Sequence, residues 1–211
     1  MTDRNANALA ELAALGSATV YEAGGRGGYV DLDLIQILAG SRVAGPARTV
    51  KCGQDDNLMV HAAMAEVQPG EVLVLTMPEP RPIGIVGDLL ATQAKAHGAA
   101  GILIDAAVRD IDTLAELGLP IWARWVRVAG ATKDIPGTIG EPVQVGGATI
   151  NQGDIVVLDA DGAAVVEADR VQEVLEASRK REDNERVKRI KLQEGELSYD
   201  LDGLRERVEG A

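Results

Sequence analysis

Short apolar runs alternate with amphipathic segments over the first two thirds of the chain. Glu71 to Leu75 and Gly101 to Asp105 are short, largely apolar runs, a pattern typical of strands buried on both faces. Residues 87–97 and 110–117 have helical composition, and each segment is followed by a glycine that can end a helix. This alternation predicts an α/β fold with a partly parallel central sheet.

Flanking segments extend the same pattern. Residues 42–52 and 120–123 read as further strands, and 6–15, 17–23 and 55–67 as helices. From Thr132 to Val166 the pattern changes to short strands interrupted by glycine, which predicts a second β layer. Asp159 and Asp161 are candidate metal ligands here, but the Asp159-Ala160-Asp161-Gly162 hairpin turn explains both, and we favour the turn.

The C-terminal segment differs from the rest of the chain. Ala168 to Gln193 contains few helix breakers and predicts one long helix, docked near its start by Val171, Val174 and Leu175. Residues 179–186 show no apolar face, so this part is either a solvated helix with internal charge pairs or an arm that lies on a neighbouring subunit. We divide the chain into an α/β domain, 1–167, and a helical arm, 168–211, that contacts a neighbour.

Composition narrows the functional classes. A formal net charge of −12 and an aromatic content of 2% argue against nucleic-acid binding, which needs clustered cations and stacking surfaces. Cys52 is the only cysteine and lies in a strand-like run, so we expect a structural thiol in a reducing cytoplasm. No run approaches the ~20 apolar residues of a membrane span. We therefore expect a cytoplasmic protein without a membrane or nucleic-acid partner.

Two short motifs carry candidate chemistry. In Val86-Gly87-Asp88-Leu89-Leu90, Asp88 either caps a helix or stands where free N–H groups attract a carboxylate or phosphate. Arg109-Asp110 follows a buried strand, at the sheet edge where α/β folds place ligands. Taken singly, each motif is explained by a cap or a surface ion pair.

Together the two motifs are more specific. Asp88, twenty intervening residues and then Arg109-Asp110 form an Asp-x20-Arg-Asp pattern. This pattern resembles the class II pyruvate aldolases related to 4-hydroxy-4-methyl-2-oxoglutarate aldolase. Flanking segments resemble the same family along nearly the whole chain: Asp56-Asn57-Leu58, Pro69-Gly70, Gly87 to Thr92, Lys95 to Gly98, Gly118 to Trp122, Gly153-Asp154 and Gly195 to Ser198.

The resemblance implies a compact α/β/β sandwich of the swivelling-domain type, with 1–167 as the catalytic domain. It implies homotrimers or hexamers with active sites between subunits, and a requirement for Mg²⁺ or Mn²⁺. Carried onto this sequence, the resemblance implies that Asp110 binds the metal directly and that Asp88 acts on it through water. Arg109 would bind the 2-oxo group, and the backbone of Gly87, Asp88, Leu89 and Leu90 would bind the pyruvyl carboxylate. An acidic side chain from a neighbouring subunit, Glu185 or else Glu182, would complete the site.

The implied reaction is retro-aldol cleavage of 4-hydroxy-4-methyl-2-oxoglutarate or 4-carboxy-4-hydroxy-2-oxoadipate to pyruvate and a second 2-oxo acid. Oxaloacetate decarboxylation is the expected side activity because it passes through the same enolate. Arg124, Arg127 and Lys133 are unranked candidates for reading the distal carboxylates. Two histidines exclude a multi-histidine zinc site, and we expect structural roles for His61 and His97. A Schiff base on Lys95 or Lys133 is unnecessary with a metal but stays open.

A binding protein is the main alternative. The regulator of ribonuclease activity A is similarly folded and acidic, and inhibits an RNA-degrading enzyme. Its pattern generally lacks the first aspartate, which this chain has as Asp88. We therefore favour the enzyme.

Overall fold

The computed structural model describes residues 3–210 as an α/β protein. The helices are α1 (Asp3–Leu15), α2 (Ser17–Ala23), α3 (Leu58–Ala63), α4 (Asp88–Ala96), α5 (Ile111–Leu117), α6 (Val171–Gln193), α7 (Ser198–Leu201) and α8 (Leu204–Glu209). The strands are β1 (Ile35–Gln36), β2 (Val43–Lys51), β3 (Val72–Thr76), β4 (Gly84–Val86), β5 (Gly101–Val108), β6 (Ile121–Val126), β7 (Thr138–Ile139), β8 (Val143–Val145), β9 (Ala148–Ile150), β10 (Ile155–Asp159) and β11 (Gly162–Val166).

One sheet organises the chain, with strand order β1-β6-β5-β3-β2-β10-β11. Strands β2, β3, β5 and β6 pair in parallel, β4 adds in parallel to β5, and β10 and β11 continue the sheet antiparallel. The parallel pairs are joined by crossovers containing α3, α4 and α5, as the alternating sequence pattern predicted.

The two faces of the sheet bury different side chains. On β3, Leu73 and Leu75 pack with α3, α4 and α5, whereas Val72 and Val74 point into a second apolar cluster on the other face. Successive side chains of a strand alternate between faces, so the continuous apolar run at 71–75 follows from burial on both sides.

The second face is enclosed because the sheet curls. Trp122 Nε1 on β6 donates a hydrogen bond to the Asp159 carbonyl oxygen on β10 at 2.8 Å, although three strands separate β6 from β10. The β8–β9 hairpin contributes Val143, Val145 and Ile150 to the same cluster. The predicted second β layer is thus the curled end of the same sheet together with this hairpin, which confirms the α/β/β arrangement.

Helices α1, α2 and α6 cover the outside of β10 and β11. Val174 and Leu175 of α6 are buried there, which confirms the predicted docking near the start of this helix. Asp159 fixes the start of α2, since its carboxylate accepts hydrogen bonds from the Ser17 backbone N–H at 2.8 Å and the Ser17 hydroxyl at 2.6 Å. It also accepts one from the Asp161 N–H, in agreement with the predicted turn, whereas its contacts with the start of α2 were not predicted.

The long C-terminal helix begins with a 3₁₀ turn, Ala168–Arg170, and continues as α6. We predicted that 179–186 has no face that packs on its own domain, and this is wrong for its first turn. Arg179 forms an ion pair with Glu11 of α1, and Arg181 lies 3.8 Å from the Glu22 carboxylate of α2. Guanidinium groups at the ends of long side chains make these contacts, which an apolar pattern does not detect.

Other boundaries were set by packing. The helix predicted over 55–67 is shorter, α3, and ends in single turns up to Val67. Strand β4 was not predicted, although its apolar run is visible in the sequence.

Burial raises the pKa of the Cys52 thiol to about 12, which agrees with a structural cysteine. Within residues 3–210, no helix combines the length and the apolar character that crossing a membrane requires.

Candidate active site

Two neighbouring strands bring the predicted motifs together. Strand β4 leads into α4 through Gly87, and β5 leads toward α5 through Arg109 and Asp110. The two strands are parallel neighbours with Val86 opposite Val108, and the Arg109 N–H donates to the Val86 carbonyl at 3.1 Å. The twenty-residue spacing is therefore the length of α4 and β5, after which the chain returns to the same sheet edge.

Asp110 has an unusual backbone conformation at the start of α5. It stands at the N-cap position of α5 with φ of 60°, in the left-handed region that non-glycine residues rarely adopt, and its side chain makes no capping hydrogen bond. Its Oδ2 atom instead accepts a hydrogen bond from the Asp88 backbone N–H at 3.3 Å. The simple helix-cap explanation for Asp110 is therefore excluded.

The start of α4 has a matching arrangement. Gly87 holds the N-cap position and Asp88 is the first helical residue, so Asp88 is not the cap either. A Cβ atom on Gly87 would lie 2.4 Å from Asp110 Oδ2, which explains the glycine at this position. The N–H groups of Leu89 and Leu90 lie in the first helical turn, where no carbonyl within the helix receives them. This end of α4 is suited to bind a carboxylate.

Arg109 extends its guanidinium group across Gly130. A Cβ atom on Gly130 would lie 2.6 Å from Arg109 Nη1, so this glycine leaves space for the arginine. Arg109 Nε lies 3.5 Å from Asp110 Oδ2, longer than a good hydrogen bond, and half of the side chain is exposed. Among the described residues, no side-chain hydrogen bond occupies the guanidinium group, which leaves its donors available to a ligand.

These residues open into a cleft of about 790 Å³. Its walls are formed by Asp88, Arg109, Asp110, Ile111, Asp112, Thr113, Val126, Arg127 and Val128. No three His, Cys, Asp or Glu side chains in residues 3–210 converge as a closed metal cluster. An open site with one or two carboxylates is nevertheless what Mg²⁺ uses, because this ion retains several waters. Asp110 and Asp88 fit that donor set.

A smaller cavity of about 120 Å³ adjoins the cleft and shares Asp88 and Arg109 with it. Its other residues are Asn57, His61, Gly84, Gly87, Leu89, Leu90, Ala131 and Lys133. Burial, together with the positive charge of Lys133, lowers the pKa of His61. The structure places His61 in the wall of this cavity, and the structural role that we expected for it stays a prediction.

Buried Asp56 supports the small cavity from behind. Its Oδ2 atom accepts hydrogen bonds from the Thr132 hydroxyl at 2.6 Å, the Asp134 N–H at 2.6 Å and the Ile135 N–H at 3.1 Å, and its Oδ1 atom accepts one from the Leu58 N–H at 2.7 Å. Burial opposes ionisation, but these donors outweigh it and lower the pKa of Asp56 to about 2. The segment that carries Lys133 is thereby fixed against the start of α3.

The structure separates the other predicted residues. Arg127 lines the main cleft and Lys133 the small cavity, whereas Arg124 donates to buried Asp105 at 3.0 Å and stacks over Trp125. Burial raises the pKa of Asp105, against the opposing effect of Arg124.

The two acidic residues predicted to complete the site, Glu185 and Glu182, lie away from the cleft of their own chain. Glu185 pairs with Arg181 at 2.9 Å and Glu182 lies 3.7 Å from Arg189, all on α6. Neither lines the cleft or the small cavity. Lys95 donates to the Leu117 carbonyl, and His97 stands at the C-cap of α4.

Several residues at the site were not singled out from the sequence, and two of them, Asn57 and Gly130, lie close to Arg109 or share the small cavity with it. Asn57 was noted only as part of the family resemblance, and Gly130 was not noted at all. A polar pair directly before a helix, Asp56-Asn57, was the available signal for the first. The second had none, because its contact with Arg109 exists only in three dimensions.

Known proteins are similar to this chain in sequence and in fold. The family model described as RraA-like, Aldolase/RraA, matches residues 13–165. A Halalkalibacterium halodurans protein, provisionally named as a 4-hydroxy-4-methyl-2-oxoglutarate aldolase, is 38% identical over 141 residues, 67% of each chain.

Solved structures agree with this match. RraAS2 of Streptomyces coelicolor, described as an unusual member of the RNase ES inhibitor RraA family, superposes with a TM-score of 0.76 at 34% identity, over 87% of this chain and 96% of its own. The RNA-processing inhibitor RraA of Thermus thermophilus shares the fold, with a TM-score of 0.66 at 24% identity over 71% of this chain and 91% of its own. The chain therefore belongs to the Aldolase/RraA family of RraA-like proteins.

Proposed function

We propose that this protein is a carbon–carbon lyase that cleaves 4-hydroxy-4-methyl-2-oxoglutarate or 4-carboxy-4-hydroxy-2-oxoadipate to pyruvate and a second 2-oxo acid. One observation carries the proposal. Asp110 turns away from its own helix to meet the start of α4 at Asp88, with the free guanidinium group of Arg109 beside it. The named Halalkalibacterium relative supports the same chemistry.

The chain's own residues fit the demands of this reaction. Breaking the C3–C4 bond leaves its electron pair in the enolate of pyruvate, so negative charge develops on the former 2-oxo oxygen, and the Arg109 guanidinium group offers N–H donors to that oxygen. The N–H groups at the start of α4 hold the adjacent carboxylate, which orients the bond to be broken. These interactions strengthen as charge develops, so they lower the barrier rather than only binding the substrate.

A divalent metal belongs to this proposal. Asp110 would bind Mg²⁺ or Mn²⁺ directly and Asp88 would hold it through water, in keeping with their exposed oxygen donors. When bound, the ion supplies positive charge next to the 2-oxo group.

A second subunit would complete the site. Leu89 and Val128, at the margins of the small cavity and the cleft, are 79% and 94% exposed, so a subunit that docks at this edge would bury apolar surface beside the site. We propose a homotrimer or hexamer in which the arm of a neighbour supplies Glu185, or else Glu182, for proton transfer. Val187, Ile190 and Val208 on the arm are also exposed, which supports its docking on another subunit.

Inhibition of a ribonuclease is the second candidate function. It is supported by the 34% identity to RraAS2, which belongs to a family of ribonuclease inhibitors. A protein that acts only by binding needs neither the carboxylate of Asp88 nor the free guanidinium group of Arg109. The two functions therefore differ in their dependence on these two side chains.

The deciding experiment measures pyruvate release from 4-hydroxy-4-methyl-2-oxoglutarate, 4-carboxy-4-hydroxy-2-oxoadipate and oxaloacetate. We expect release from all three, abolished by a chelator and restored by Mg²⁺ or Mn²⁺. Titration of Mn²⁺ followed by electron paramagnetic resonance should show weaker binding to Asp110→Asn than to wild type. Full activity in excess chelator after dialysis would contradict the metal role, and absence of release under all conditions would favour the ribonuclease-binding alternative.

A further inference from the structure

The small cavity beside the cleft has unused binding capacity. Its volume of about 120 Å³ corresponds to roughly four water molecules, enough for a carboxylate and a hydroxyl group. Part of its lining is Arg109 and the start of α4 from Gly87 to Leu90, which bind the 2-oxo group and the pyruvyl carboxylate in the function proposed above, so the cavity adjoins that end of the substrate. Its lining also includes Asn57, His61 and Lys133, to which that function assigns no role.

Asn57 presents a buried acceptor to this region. The residue is 8% exposed, and its Nδ2 group donates to the Ile85 carbonyl at 3.0 Å, which fixes the orientation of the amide. Its Oδ1 atom is buried and has no hydrogen-bond partner among the described residues. An unsatisfied buried acceptor costs about 1–3 kcal/mol, so buried acceptors usually have a partner from the protein, an ordered water or a ligand. The partner must donate, as a hydroxyl group does.

Lys133 supplies the positive charge. Its flanking residues are fixed by Asp56, and within residues 3–210 no carboxylate pairs with its ammonium group. The charge of Lys133 also acts on His61, whose pKa is lowered, so the imidazole adds little positive charge of its own at neutral pH. A cation and a neutral acceptor in one small cavity match a carboxylate and a hydroxyl group on the same carbon.

We propose that Lys133 and Asn57 are the specificity-determining residues of the site. Lys133 binds the carboxylate on C4 of the substrate, and Asn57 Oδ1 accepts a hydrogen bond from the C4 hydroxyl group. The other candidates are less suited, because Arg124 is paired with buried Asp105 and Arg127 bonds the neighbouring Val126 carbonyl in a wide cleft. This assignment rests on the proposed lyase function.

The test for Lys133 compares two substrates that differ only at C4. Wild type, Lys133→Met, Lys133→Arg and the control Arg127→Met are assayed with 4-hydroxy-4-methyl-2-oxoglutarate and with a 4-hydroxy-4-methyl-2-oxo acid that carries a methyl group in place of the C4 carboxylate. Loss of a charge-assisted hydrogen bond predicts that Lys133→Met lowers kcat/KM for the carboxylated substrate at least about tenfold more than for the other. Lys133→Arg should recover most of this preference, and Arg127→Met should keep it.

The role of Asn57 is tested by comparing a substrate that has a C4 hydroxyl group with one that lacks it. Asn57→Ala should lower cleavage of 4-hydroxy-4-methyl-2-oxoglutarate about tenfold more than decarboxylation of oxaloacetate, which has no hydroxyl group at C4. Circular dichroism and thermal unfolding verify that the variant folds. If it does not, Asn57→Ser, which keeps a smaller polar group, is measured in the same way.

The outcomes separate the two hypotheses. If wild type cleaves its substrates and Lys133→Met affects both equally, or if only Arg127→Met loses the preference, the assignment of Lys133 is wrong and the lyase function stands. Equal losses in both reactions for the Asn57 variants would overturn the role of Oδ1. If wild type releases no pyruvate from any substrate and does not exchange the methyl protons of pyruvate in D₂O, the lyase function and this assignment fail together.

Discussion

Asp110 and Asp88 are joined by a hydrogen bond from the Asp88 backbone N–H to Asp110 Oδ2 at 3.3 Å. The contact links the starts of two helices that follow adjacent parallel strands, and it occurs at a residue with φ of 60°. Left-handed backbone at an aspartate costs about 1–3 kcal/mol and persists where the surrounding structure imposes it, often at functional sites. Asp88 and Asp110, the two ends of the sequence motif, are therefore in direct contact in the folded protein.

Replacement of Arg109 by lysine tests whether activity needs only a positive charge at this position or also the planar guanidinium group. Lysine keeps the positive charge but loses the planar pair of donors, so we expect kcat/KM for pyruvate release to fall at least about 100-fold with an unchanged circular dichroism spectrum. Arg81→Lys, at an exposed surface pair with Asp55 and Glu79, is the matched control and should stay near wild type. Near-wild-type activity of Arg109→Lys would mean that Arg109 is only a surface ion-pair partner of Asp110.

Gly130→Ala tests the placement of Arg109 without touching the arginine. The new Cβ atom would lie 2.6 Å from Arg109 Nη1, and the guanidinium group, as the end of a flexible side chain, can move away at little cost in stability. We expect activity to fall about tenfold, because small displacements of a positioned group are costly in catalysis, while Tm stays unchanged. Gly27→Ala, with no atom within 4 Å of the new Cβ, is the control. Wild-type kinetics in Gly130→Ala would show that Arg109 works from another position.

The ionised carboxylate of Asp56 should make stability depend on acid pH. Its folded-state pKa of about 2 lies below the unfolded value of ~3.9, so its contribution is present above about pH 4 and is lost as the pH falls toward 2. Asp56→Asn should lower the free energy of unfolding by about 3 kcal/mol at pH 7 and flatten its pH dependence between 4 and 2. Urea unfolding at several pH values measures both. Asp161→Asn, at an exposed turn, should change neither, and an equal effect of the two substitutions would contradict the role of Asp56.

Mixed oligomers test the contribution of the C-terminal arm. Neither Arg109→Ala nor Glu185→Gln should turn over normally as a homo-oligomer if Glu185 transfers a proton at a neighbour's site. Joint refolding should then create some sites with both wild-type residues, and activity should partly return. Glu182→Gln in place of Glu185→Gln distinguishes the two candidates. Mixed oligomers that form without recovery would place the acid elsewhere or the whole site within one chain.

Sequence alone determined the class of fold and predicted the residues of the candidate site. Short, largely apolar runs such as 101–105, flanked by glycine, favour strands buried on both faces, and the glycines after 87–97 and 110–117 mark helix ends at Gly98 and Gly118. The spacing between Asp88 and Arg109-Asp110 corresponds to one helix and one strand, α4 and β5. Features of this kind can be predicted from the sequence because they depend only on residues that are close together in the chain.

Tertiary structure decided the rest, because it depends on which distant residues meet. Only the curl of the sheet brings Trp122 to Asp159, and only the return of the chain after β6 places Gly130 beside Arg109 and Lys133 in the same cavity as Asn57. Arg124 and Lys133 were equivalent candidates in the sequence, because nothing there ranked one cation above the other. In the fold, buried Asp105 neutralises Arg124, while Lys133 faces an open cavity, and burial and pairing of this kind are properties of three-dimensional neighbours rather than of sequence position.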